Sequence, residues 1–432
     1  VVAISMCGQM HGVTLLDEEL QPVHPSIIWA DGRAVDETAM LLDTIGRERF
    51  VSITGTLPAV GFMSNTLAWM QQHDPQTLEK AAHILLPKDY IATRLTGEVA
   101  TDYSDAAATA LFDIQALTWS DDIIDAMTLP RHIFPTVQPS TGITGTVTQQ
   151  AADETGLPAG IPVITGSADQ PAVAIGNGII KTGMASVTTG SGGQVFVPIM
   201  KSDNLPTDPR LHTFNHAVPD MYYALGAILS AGLSLRWLRG ITGLDSNPDA
   251  YKIFSAEAAQ IPPGSDGLIF LPHLSGERTP HMDAAARGMF MGLSSYHTRG
   301  HLARAVMEGV TFALRQALEI TRTMGADVET LIIAGGASES TVWRQIQADV
   351  FGMPLQQTLQ SEQASLGAAL IAGVGAGVYA SFEEACDSIV RYGDITGPNP
   401  ANQQRYDAIY QHYLTLYPML KDTMHSLRNL SG

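Results

Sequence analysis

The stretch GIPVITGSADQPAVAIGNGI at residues 160–179, followed by ASVTTGSGGQVFV at residues 185–197, decides the fold class. The first part predicts a buried strand over residues 163–165, a loop of small residues and a helix that begins near Pro171, because proline suits the first turn of a helix. The second part predicts two strands joined by a tight glycine turn, a hairpin of the kind that opens a new domain. Together they indicate an α/β protein with a domain boundary near residue 180.

Strands and helices alternate on the C-terminal side of this boundary. Residues 303–324 carry apolar side chains at helical spacing and stop at Gly325, and residues 329–336 are a predicted strand that runs into two glycines. SESTVWRQIQADVFG (338–352) predicts a helix with serine caps and a terminal glycine, and LGAALIAGVGAGV (366–378) predicts a helix of small residues that permits close packing. The alternation indicates sheets that are covered by helices.

The N-terminal side contains short strand-like segments ahead of helical ones. Residues 1–6, 13–16 and 26–29 are predicted strands separated by turns with glycine or proline, which is typical of a meander. Residues 66–93 have the apolar spacing of helices, and helical segments with glycine and proline breaks continue to about residue 150. His11 is expected at the end of a strand.

The composition is that of a globular protein with two domains. Of 432 residues, 45% are hydrophobic and 16% are charged, and a single core stops growing at roughly 250 to 300 residues. The 24 basic and 43 acidic residues give a net charge of −19, which argues against nucleic acid or an anionic membrane as the main partner. A phosphorylated ligand would need local neutralisation by backbone N–H groups or a metal ion.

Cysteine usage and hydropathy predict a cytoplasmic location. Only Cys7 and Cys386 occur, without the spacing of a disulfide framework or a metal site, which favours a reducing compartment. No segment reaches the roughly 18 uncharged apolar residues of a membrane span, and the first residues lack the basic start of a signal peptide.

Two glycine-rich segments are candidate phosphate-binding loops. In TTGSGG (188–193), glycines allow backbone N–H groups to converge on an anion and two hydroxyls add donors; the alternative is an ordinary hairpin turn. In AGGASES (334–340), a strand delivers two glycines to a helix N-terminus, which suits a nucleotide's ribose or α-phosphate; the alternative is a structural turn. The lack of G-x-G-x-x-G spacing in this segment disfavours a dinucleotide.

Polar side chains at strand ends are candidate catalytic groups and sugar ligands. SADQ (167–170) places Asp169 at the C-terminal end of a strand, where open α/β sheets bind ligands; the alternative is an acidic N-cap of the following helix. GQMHG (8–12) and WADGR (29–33) combine polar groups for hydroxyls with apolar faces for a sugar ring or chain. The side chains on offer are Gln9, Met10, His11, Trp29, Asp31 and Arg33. The alternative for His11 is a hydrogen-bonded loop histidine.

Longer motifs resemble the FGGY family of carbohydrate kinases. GMFMGLSSYHTRGHLARAVME (288–308) is similar to the family's C-terminal signature, and LPHLSGERTPHMD (271–283) is similar to the loop before it. GQMHG, WADGR and LLPKDYIATRLTGEVATDYSDAA (85–107) are most similar to the xylulokinase branch, and the similarity covers nearly the whole chain. The resemblance implies two α/β domains of the ribonuclease-H-like type found in actin and hexokinase, with sugar and ATP meeting in the cleft between them. It assigns residues 1–179 to sugar binding and residues 180–432 to nucleotide binding.

The resemblance also implies roles for individual residues. Asp169 matches the family's catalytic base, which removes the proton from the attacking hydroxyl, O5 if the substrate is D-xylulose, and Met10 and His11 match sugar contacts. The positions that match contacts to ATP, which the family uses with Mg²⁺, are Thr189, Gly190, Ser191, Gly192, Gly232, Gly336, Ala337 and Ser340. Dimers are common in the family, which makes a homodimer a possible assembly.

The sequence departs from the family pattern in several places. The family begins with a strand and a D-x-G-T-S-type loop, its first phosphate and metal site; we expect this segment to precede residue 1, because a sheet without its first strands would expose a long unpaired edge. Gln170 stands where many xylulokinases have Asn, and the second phosphate loop has G-S-G rather than G-T-S. Thr66 stands where the family's N-terminal signature usually has lysine. This departure weakens the signature and leaves the identity of the substrate more open.

Three hypotheses follow for the function. The first is ATP-dependent phosphorylation of D-xylulose to D-xylulose 5-phosphate. The second is phosphorylation of another polyol or sugar acid, such as ribulose, gluconate or glycerol, against which GQMHG argues. The third is a catalytically silent sugar-binding protein that has lost the first phosphate loop.

Overall fold

A computed structural model gives the structure of the chain and describes residues 1–202, 205 and 207–430. The chain divides into two compact units, each built from three segments. The first unit comprises Val1–Lys181, Pro198–Tyr223 and Gln360–Val390, and the second comprises Thr182–Val197, Ala224–Leu359 and Arg391–Gly432. The first change of unit, after Lys181, is close to the expected boundary at 179/180, whereas the two later segments of the first unit were not expected. The assignment of sugar and nucleotide binding to residues 1–179 and 180–432 stays a prediction.

Short strands and mostly longer helices make up both units. The strands are β1 (Ile4–Gly8), β2 (Thr14–Leu16), β3 (His83–Leu85), β4 (Ala100–Asp102), β5 (Phe112–Asp113), β6 (Thr118–Trp119), β7 (Thr136–Gln138), β8 (Ile143–Thr146), β9 (Pro162–Ala168), β10 (Gly183–Thr189), β11 (Gly193–Met200), β12 (His212–Asn215), β13 (Met221–Ile228), β14 (Ile269–Leu271), β15 (Met289–Met291), β16 (Val328–Ala334), β17 (Leu355–Thr358) and β18 (Tyr392–Thr396). The helices are α1 (Glu37–Ile45), α2 (Arg47–Thr54), α3 (Met63–His73), α4 (Pro75–Glu79), α5 (Pro87–Thr96), α6 (Tyr103–Ala108), α7 (Asp121–Ala126), α8 (Gln149–Thr155), α9 (Asp169–Gly176), α10 (Gly232–Ile241), α11 (Ala250–Ala258), α12 (Arg299–Thr323), α13 (Thr341–Phe351), α14 (Gln363–Gly375), α15 (Phe382–Ile389) and α16 (Pro400–Leu430). Short 3-10 helices lie at Arg131–Ile133, Ser265–Gly267 and Gly336–Glu339.

The predicted N-terminal meander is wrong, because β1 pairs with a strand from a distant part of the chain. β1 runs parallel to β9, which in turn pairs antiparallel with β8, in the order β1-β9-β8. β2 pairs with β3. Residues 26–29 are not a strand, since Ile27 makes only an isolated bridge to Val13. A strand-like pattern locates a strand but does not identify its partner.

The helical prediction over residues 66–93 is confirmed only in part. Helices α3, α4 and α5 cover most of it, and β3 is inserted between α4 and α5. β3 consists of three residues, of which Ile84 and Leu85 are buried. A strand this short contributes too few positions to disturb a helical apolar period.

β9 and α9 form the predicted strand–helix unit, with longer bounds. The helix begins at Asp169, two residues before Pro171. One side of α9 packs along α14, which is the predicted helix of small residues. A Cβ added at Gly367 on α14 would lie 1.9 Å from the carbonyl oxygen of Ala172 on α9. Only glycine allows the two backbones to approach this closely. α14 therefore fixes the helix that begins with Asp169.

A seven-stranded sheet has the strand order β12-β13-β11-β10-β16-β17-β18. The predicted hairpin is confirmed as β10 and β11, which pair antiparallel up to Thr189 opposite Gly193. β10, β16 and β17 are parallel to one another, so β10 and β16 deliver the two glycine-rich segments at the same edge of the sheet. α12 and α13 match the predicted helices to within a few residues, and the Ser340 hydroxyl caps α13 as expected.

The core of the second unit forms around α12. Val310, Leu314 and Leu318 on α12 and Leu331 and Ile333 on β16 belong to one buried apolar cluster. Burial of such side chains supplies the main driving force for folding and gives the strand ends a rigid base. Along residues 1–202, 205 and 207–430, no helix combines the length and the hydrophobicity that crossing a bilayer requires.

Candidate active site

In the first unit, two predicted parts of the site, the GQMHG loop and Asp169, follow directly after two neighbouring strands. Gly8, the last residue of β1, lies opposite Ala168, the last residue of β9. Because the strands are parallel, the GQMHG loop after β1 and Asp169 after β9 begin side by side. The fold thus brings together the candidate base and the loop that carries Gln9, Met10 and His11.

Asp169 is the first residue of α9, and its carboxylate is largely buried. The N-cap position belongs to Ala168, so the alternative of an acidic N-cap is wrong. Among the described residues the Asp169 Oδ1 atom is buried without a hydrogen-bond partner. Burial raises the pKa of Asp169 to about 6, against the opposing effect of hydrogen bonds from the Gln170 backbone and side chain. A carboxylate with a pKa near neutrality and a buried oxygen suits a general base.

A hydrogen bond and ring stacking are among the contacts that hold His11 in a defined orientation. Its φ of 72° is in the left-handed region, which histidine occupies more readily than bulkier residues. The Nδ1 atom lies 2.5 Å from the Ala108 carbonyl oxygen, and because a carbonyl can only accept, the proton is on Nδ1. The ring stacks on Phe62 with centroids 3.9 Å apart and planes 7° apart. The sequence showed neither contact, because both partners lie far along the chain; Met10 beside it is buried.

The WADGR segment lies at the surface and is largely paired with itself. Arg33 donates from Nε and Nη2 to the two oxygens of Asp31, each at 2.8 Å, and its guanidinium lies 4.9 Å from the centre of the Trp69 ring. These hydrogen bonds lower the pKa of Asp31. Trp29 is half-exposed, and Gly61 with a φ of 87° packs against its backbone. A role for Trp29, Asp31 and Arg33 in sugar binding stays a prediction.

A buried charge cluster beneath the strand ends was missed by sequence reasoning. The Lys88 ammonium contacts Asp89 at 2.5 Å, Asp102 at 3.0 Å and Asp105 at 3.3 Å, and all four residues are at most 4% exposed. Burial opposes the charged form of Lys88, but the three carboxylates outweigh it and hold the pKa of Lys88 well above its usual value. Burial raises the pKa of Asp105 despite the neighbouring ammonium. The motif at 85–107 contains all four residues, but its spacing does not reveal that they meet.

The charge cluster and Asp169 share one electrostatic environment. Burial raises the pKa of the Cys7 thiol, and the charges of Asp169 and Asp105 raise it further. Burial also raises the pKa of Tyr223 well above its usual value, with additional contributions from Asp169, Asp105 and Asp102. Cys7 and Tyr223 therefore stay neutral beside the carboxylates, and neither competes with Asp169 as a base.

The second unit contains a cavity of about 310 Å³ that collects most of the predicted nucleotide contacts. Its lining includes seven of the eight predicted residues: Thr189, Gly190, Ser191, Gly232, Gly336, Ala337 and Ser340. Gly192, the eighth, is not among the lining residues described; a Cβ there would lie 2.9 Å from the Ile228 carbonyl oxygen. Gly192 thus permits a close backbone approach behind the loop.

The glycine loops are tied to each other around this cavity. The Gly232 amide donates to the Gly190 carbonyl at 2.8 Å, and a Cβ on Gly232 would lie 2.5 Å from the same oxygen. Gly335 has a φ of 84° and lies against the Thr189 backbone, which brings the AGGASES segment to the end of β10. Gln347 donates from Nε2 to the Thr189 hydroxyl at 3.2 Å. The loops form one surface rather than two independent turns.

Further residues of the cavity were not predicted from the sequence. They lie on α10, α11, α12 and α13 and are Leu233, Leu235, Arg236, Tyr251, Ser255, Met307 and Trp343. The Ser255 hydroxyl lies 3.0 Å from that of Ser340, which also accepts the Trp343 amide as the cap of α13. Apolar and aromatic walls with a few hydroxyls are typical of small-molecule sites. Arg236 on α10 and Tyr251 on α11 are exposed, and the local sequence of these helices does not indicate a ligand.

Known proteins match this chain along nearly its whole length. The model of the FGGY family of carbohydrate kinases, N-terminal domain, matches residues 1–176, and that of the C-terminal domain matches residues 185–376. A xylulose kinase of Lactococcus lactis is 35% identical over 429 residues, which cover 99% of this chain and 84% of that protein. A gluconokinase of Bacillus subtilis is 30% identical over 436 residues, which cover 99% of this chain and 83% of that protein.

A solved structure also matches nearly the whole chain. The crystal structure of xylulose kinase from Rhodospirillum rubrum has a TM-score of 0.91 to this chain at 33% identity, covering 98% of this chain and 85% of that one. The match confirms the fold class expected from the sequence, two α/β domains of the actin and hexokinase type. The family resemblance drawn from the motifs is also confirmed.

Proposed function

The chain belongs to the FGGY family of carbohydrate kinases, and from that premise we propose that it transfers the γ-phosphoryl group of ATP to O5 of D-xylulose, giving D-xylulose 5-phosphate. Asp169 is the proposed general base. The observation that carries the proposal is its carboxylate: largely buried, with an Oδ1 that has no partner among the described residues and a pKa raised to about 6.

The proposed chemistry asks little covalent work of the protein. Phosphoryl transfer depends on positioning the two reactants and on stabilising the negative charge that spreads over the phosphoryl oxygens. Asp169 accepts the proton of the attacking hydroxyl, and His11, fixed by Phe62 and Ala108, hydrogen-bonds the sugar. The glycine-rich loops of the second unit offer backbone N–H groups to the phosphates, which a molecule of net charge −19 must neutralise locally.

The residues present fit a metal ion that arrives with the nucleotide. Mg²⁺ keeps several waters and takes one or two carboxylates together with substrate phosphates. Within residues 1–202, 205 and 207–430, no group of three or more acidic, histidine or cysteine side chains is arranged to hold a metal by itself. Bound to ATP, Mg²⁺ would neutralise part of the phosphate charge.

The choice of substrate is tested by a panel. The full-length protein, including the segment expected to precede residue 1, is given Mg-ATP and, in turn, D-xylulose, L-ribulose, glycerol and D-gluconate, and ADP release is measured. We expect a strong preference for D-xylulose. Preference for D-gluconate, the name-giving substrate of the 30% identical relative, would keep the kinase and overturn the substrate. No turnover on any of the four compounds would overturn D-xylulose as the substrate and favour either an untested substrate or a catalytically silent sugar-binding protein.

The role of Asp169 is tested with a variant of nearly equal shape. Asp169→Asn removes the base and should lower kcat on D-xylulose by at least roughly 10²-fold, the lower end of what acid–base catalysis contributes. Binding of D-xylulose, measured by calorimetry, should survive. Asp43→Asn, at an exposed position of α1, serves as the control and should leave kcat unchanged. An active Asp169→Asn enzyme would exclude Asp169 as the base.

A further inference from the structure

The backbone amide of Ala168, the residue before Asp169, is hydrogen-bonded to a buried side chain on α6. The Ala168 N–H donates to the Ser104 hydroxyl oxygen over 3.0 Å, although 64 residues separate the two in sequence. Because a backbone N–H can only donate, the Ser104 hydroxyl must point its own hydrogen elsewhere. It donates to Asp102 Oδ2 over 2.6 Å. The donor and the acceptor are therefore fixed in both hydrogen bonds of this chain, which runs from the Ala168 amide through the Ser104 hydroxyl to the Asp102 carboxylate.

Asp102 is in turn anchored by the buried charge cluster. Its Oδ1 faces the Lys88 ammonium at 3.0 Å, and its Oδ2 also accepts from the Ser140 hydroxyl at 2.8 Å. Asp102 and Ser104 are fully buried, so these bonds act where the local dielectric constant is low. The Ser104 hydroxyl reaches Ala168, whereas the Ser140 hydroxyl donates to Asp102 only; Ser140 also contacts β9 through its carbonyl, which accepts the Gly166 amide at 3.0 Å and is kept in an alanine variant.

The cluster also supports the strand beside β9. A Cβ added at Gly8 would lie 2.7 Å from Lys88 Cβ, so the end of β1 rests directly on the lysine stem. The loop with Met10 and His11 starts at that strand end, and Asp169 starts at the end of β9. The buried charge cluster around Lys88 therefore lies beneath both the GQMHG loop and Asp169, the proposed base.

We propose that Ser104, held by Asp102 and Lys88, is a positioning residue that sets the place of Asp169 for the reaction, rather than only a stabilising one. The proposal rests on the proposed function, in which Asp169 is the base. Without the Ser104 hydroxyl, the Ala168 amide is left buried with no acceptor from this side chain, and the start of α9 must shift to regain one. A shift of about 1 Å in a catalytic group can lower a rate by roughly 10²-fold.

The test compares Ser104→Ala with Ser140→Ala. Both variants remove one hydroxyl that donates to the same oxygen of Asp102, but only Ser104 contacts Ala168. Turnover per folded molecule is measured on D-xylulose with Mg-ATP at 25 °C, with circular dichroism as the check of folding. We expect Ser104→Ala to lower kcat by roughly 10- to 100-fold, while KM for ATP and for sugar change less than about threefold, and Ser140→Ala to keep kcat within about threefold of the parent.

Rescue separates positioning from general damage. Ser104→Thr keeps the hydroxyl and should retain kcat, although its added methyl lowers the melting temperature. If Ser104→Ala does not fold, Ser104→Cys takes its place, since a thiol of similar size is a weak acceptor. Equal kcat losses in the Ser104 and Ser140 variants, or a Ser104→Thr enzyme as slow as Ser104→Ala, would overturn the inference. An inactive parent enzyme on the whole sugar panel would instead overturn the proposed function.

Discussion

At the scale of single residues, a carboxylate works as a base near neutral pH only if its surroundings bring its pKa into that range. Asp169 meets this condition by burial, without a like charge in direct contact. The ring of His11 is held differently, by a carbonyl oxygen and an aromatic face. For the proposed reaction, both groups are thus pre-organised by neighbouring residues.

The pH dependence of the rate follows from the state of Asp169. As the proposed base, Asp169 must be ionised, and its pKa is raised from 3.8 to about 6. We expect kcat/KM for D-xylulose to be constant above pH 7 and to fall tenfold per pH unit below about pH 6, which a rate profile from pH 4.5 to 8 would measure. A midpoint near pH 4 would show that the carboxylate is solvated in the free enzyme.

The raised pKa of Asp169 also predicts that the free energy of unfolding increases when the charge of this carboxylate is removed. A raised pKa means that the folded protein binds this proton more tightly than the unfolded chain does, so ionisation lowers the free energy of unfolding as the pH rises from about 4 to about 6. At pH 7, Asp169→Asn should therefore raise the free energy of unfolding by roughly 1 to 3 kcal/mol. Urea unfolding at pH 7 and at pH 4 measures it, and the gain should shrink at pH 4.

At the scale of elements, the position of Asp169 depends on how closely α9 and α14 pack. Alanine at position 367 would gain about 1 kcal/mol of helix propensity over glycine. Its Cβ would lie 1.9 Å from the Ala172 carbonyl oxygen, however, and overpacking costs roughly 1 to 3 kcal/mol. The clash outweighs the propensity, so the helices must separate.

Gly367→Ala should therefore lower both the melting temperature and kcat. The control is Ala369→Gly, at an exposed position of the same helix, which should lose about 1 kcal/mol of stability through propensity alone and keep kcat. Thermal unfolding and steady-state kinetics of the two variants measure the difference. Unchanged kcat in Gly367→Ala would mean that α9 absorbs the shift without moving its first residue.

The sequence predicted those elements whose evidence is local. The hairpin of β10 and β11, the cap at Ser340 and the strand that delivers Asp169 all follow from patterns within about 15 residues. The partner of β1, the stacking of Phe62 on His11 and the charge cluster around Lys88 depend on residues that only the folded chain brings together. A buried lysine in particular looks like a surface residue in a sequence.

At the scale of the whole molecule, neither unit is a continuous piece of chain. The first unit needs Gln360–Val390, which carries α14, to complete the packing around α9. We expect residues 1–181 expressed alone to lack a cooperative unfolding transition, measured by circular dichroism and urea. Co-expression with residues 182–432 should restore a folded complex, and a cooperative transition in the isolated fragment would contradict the expectation.

The late return of the chain to α9 has a consequence for protein synthesis. The thiol of Cys386 contacts the Ile175 carbonyl oxygen at 3.5 Å across a sequence separation of 211 residues. A ribosome adding about 5 to 20 residues per second needs roughly 10 to 40 s to cover that distance. During this interval the side of α9 that packs on the later segment has no partner, so the start of the helix, where Asp169 lies, takes its final position only after Gln360–Val390 has been made.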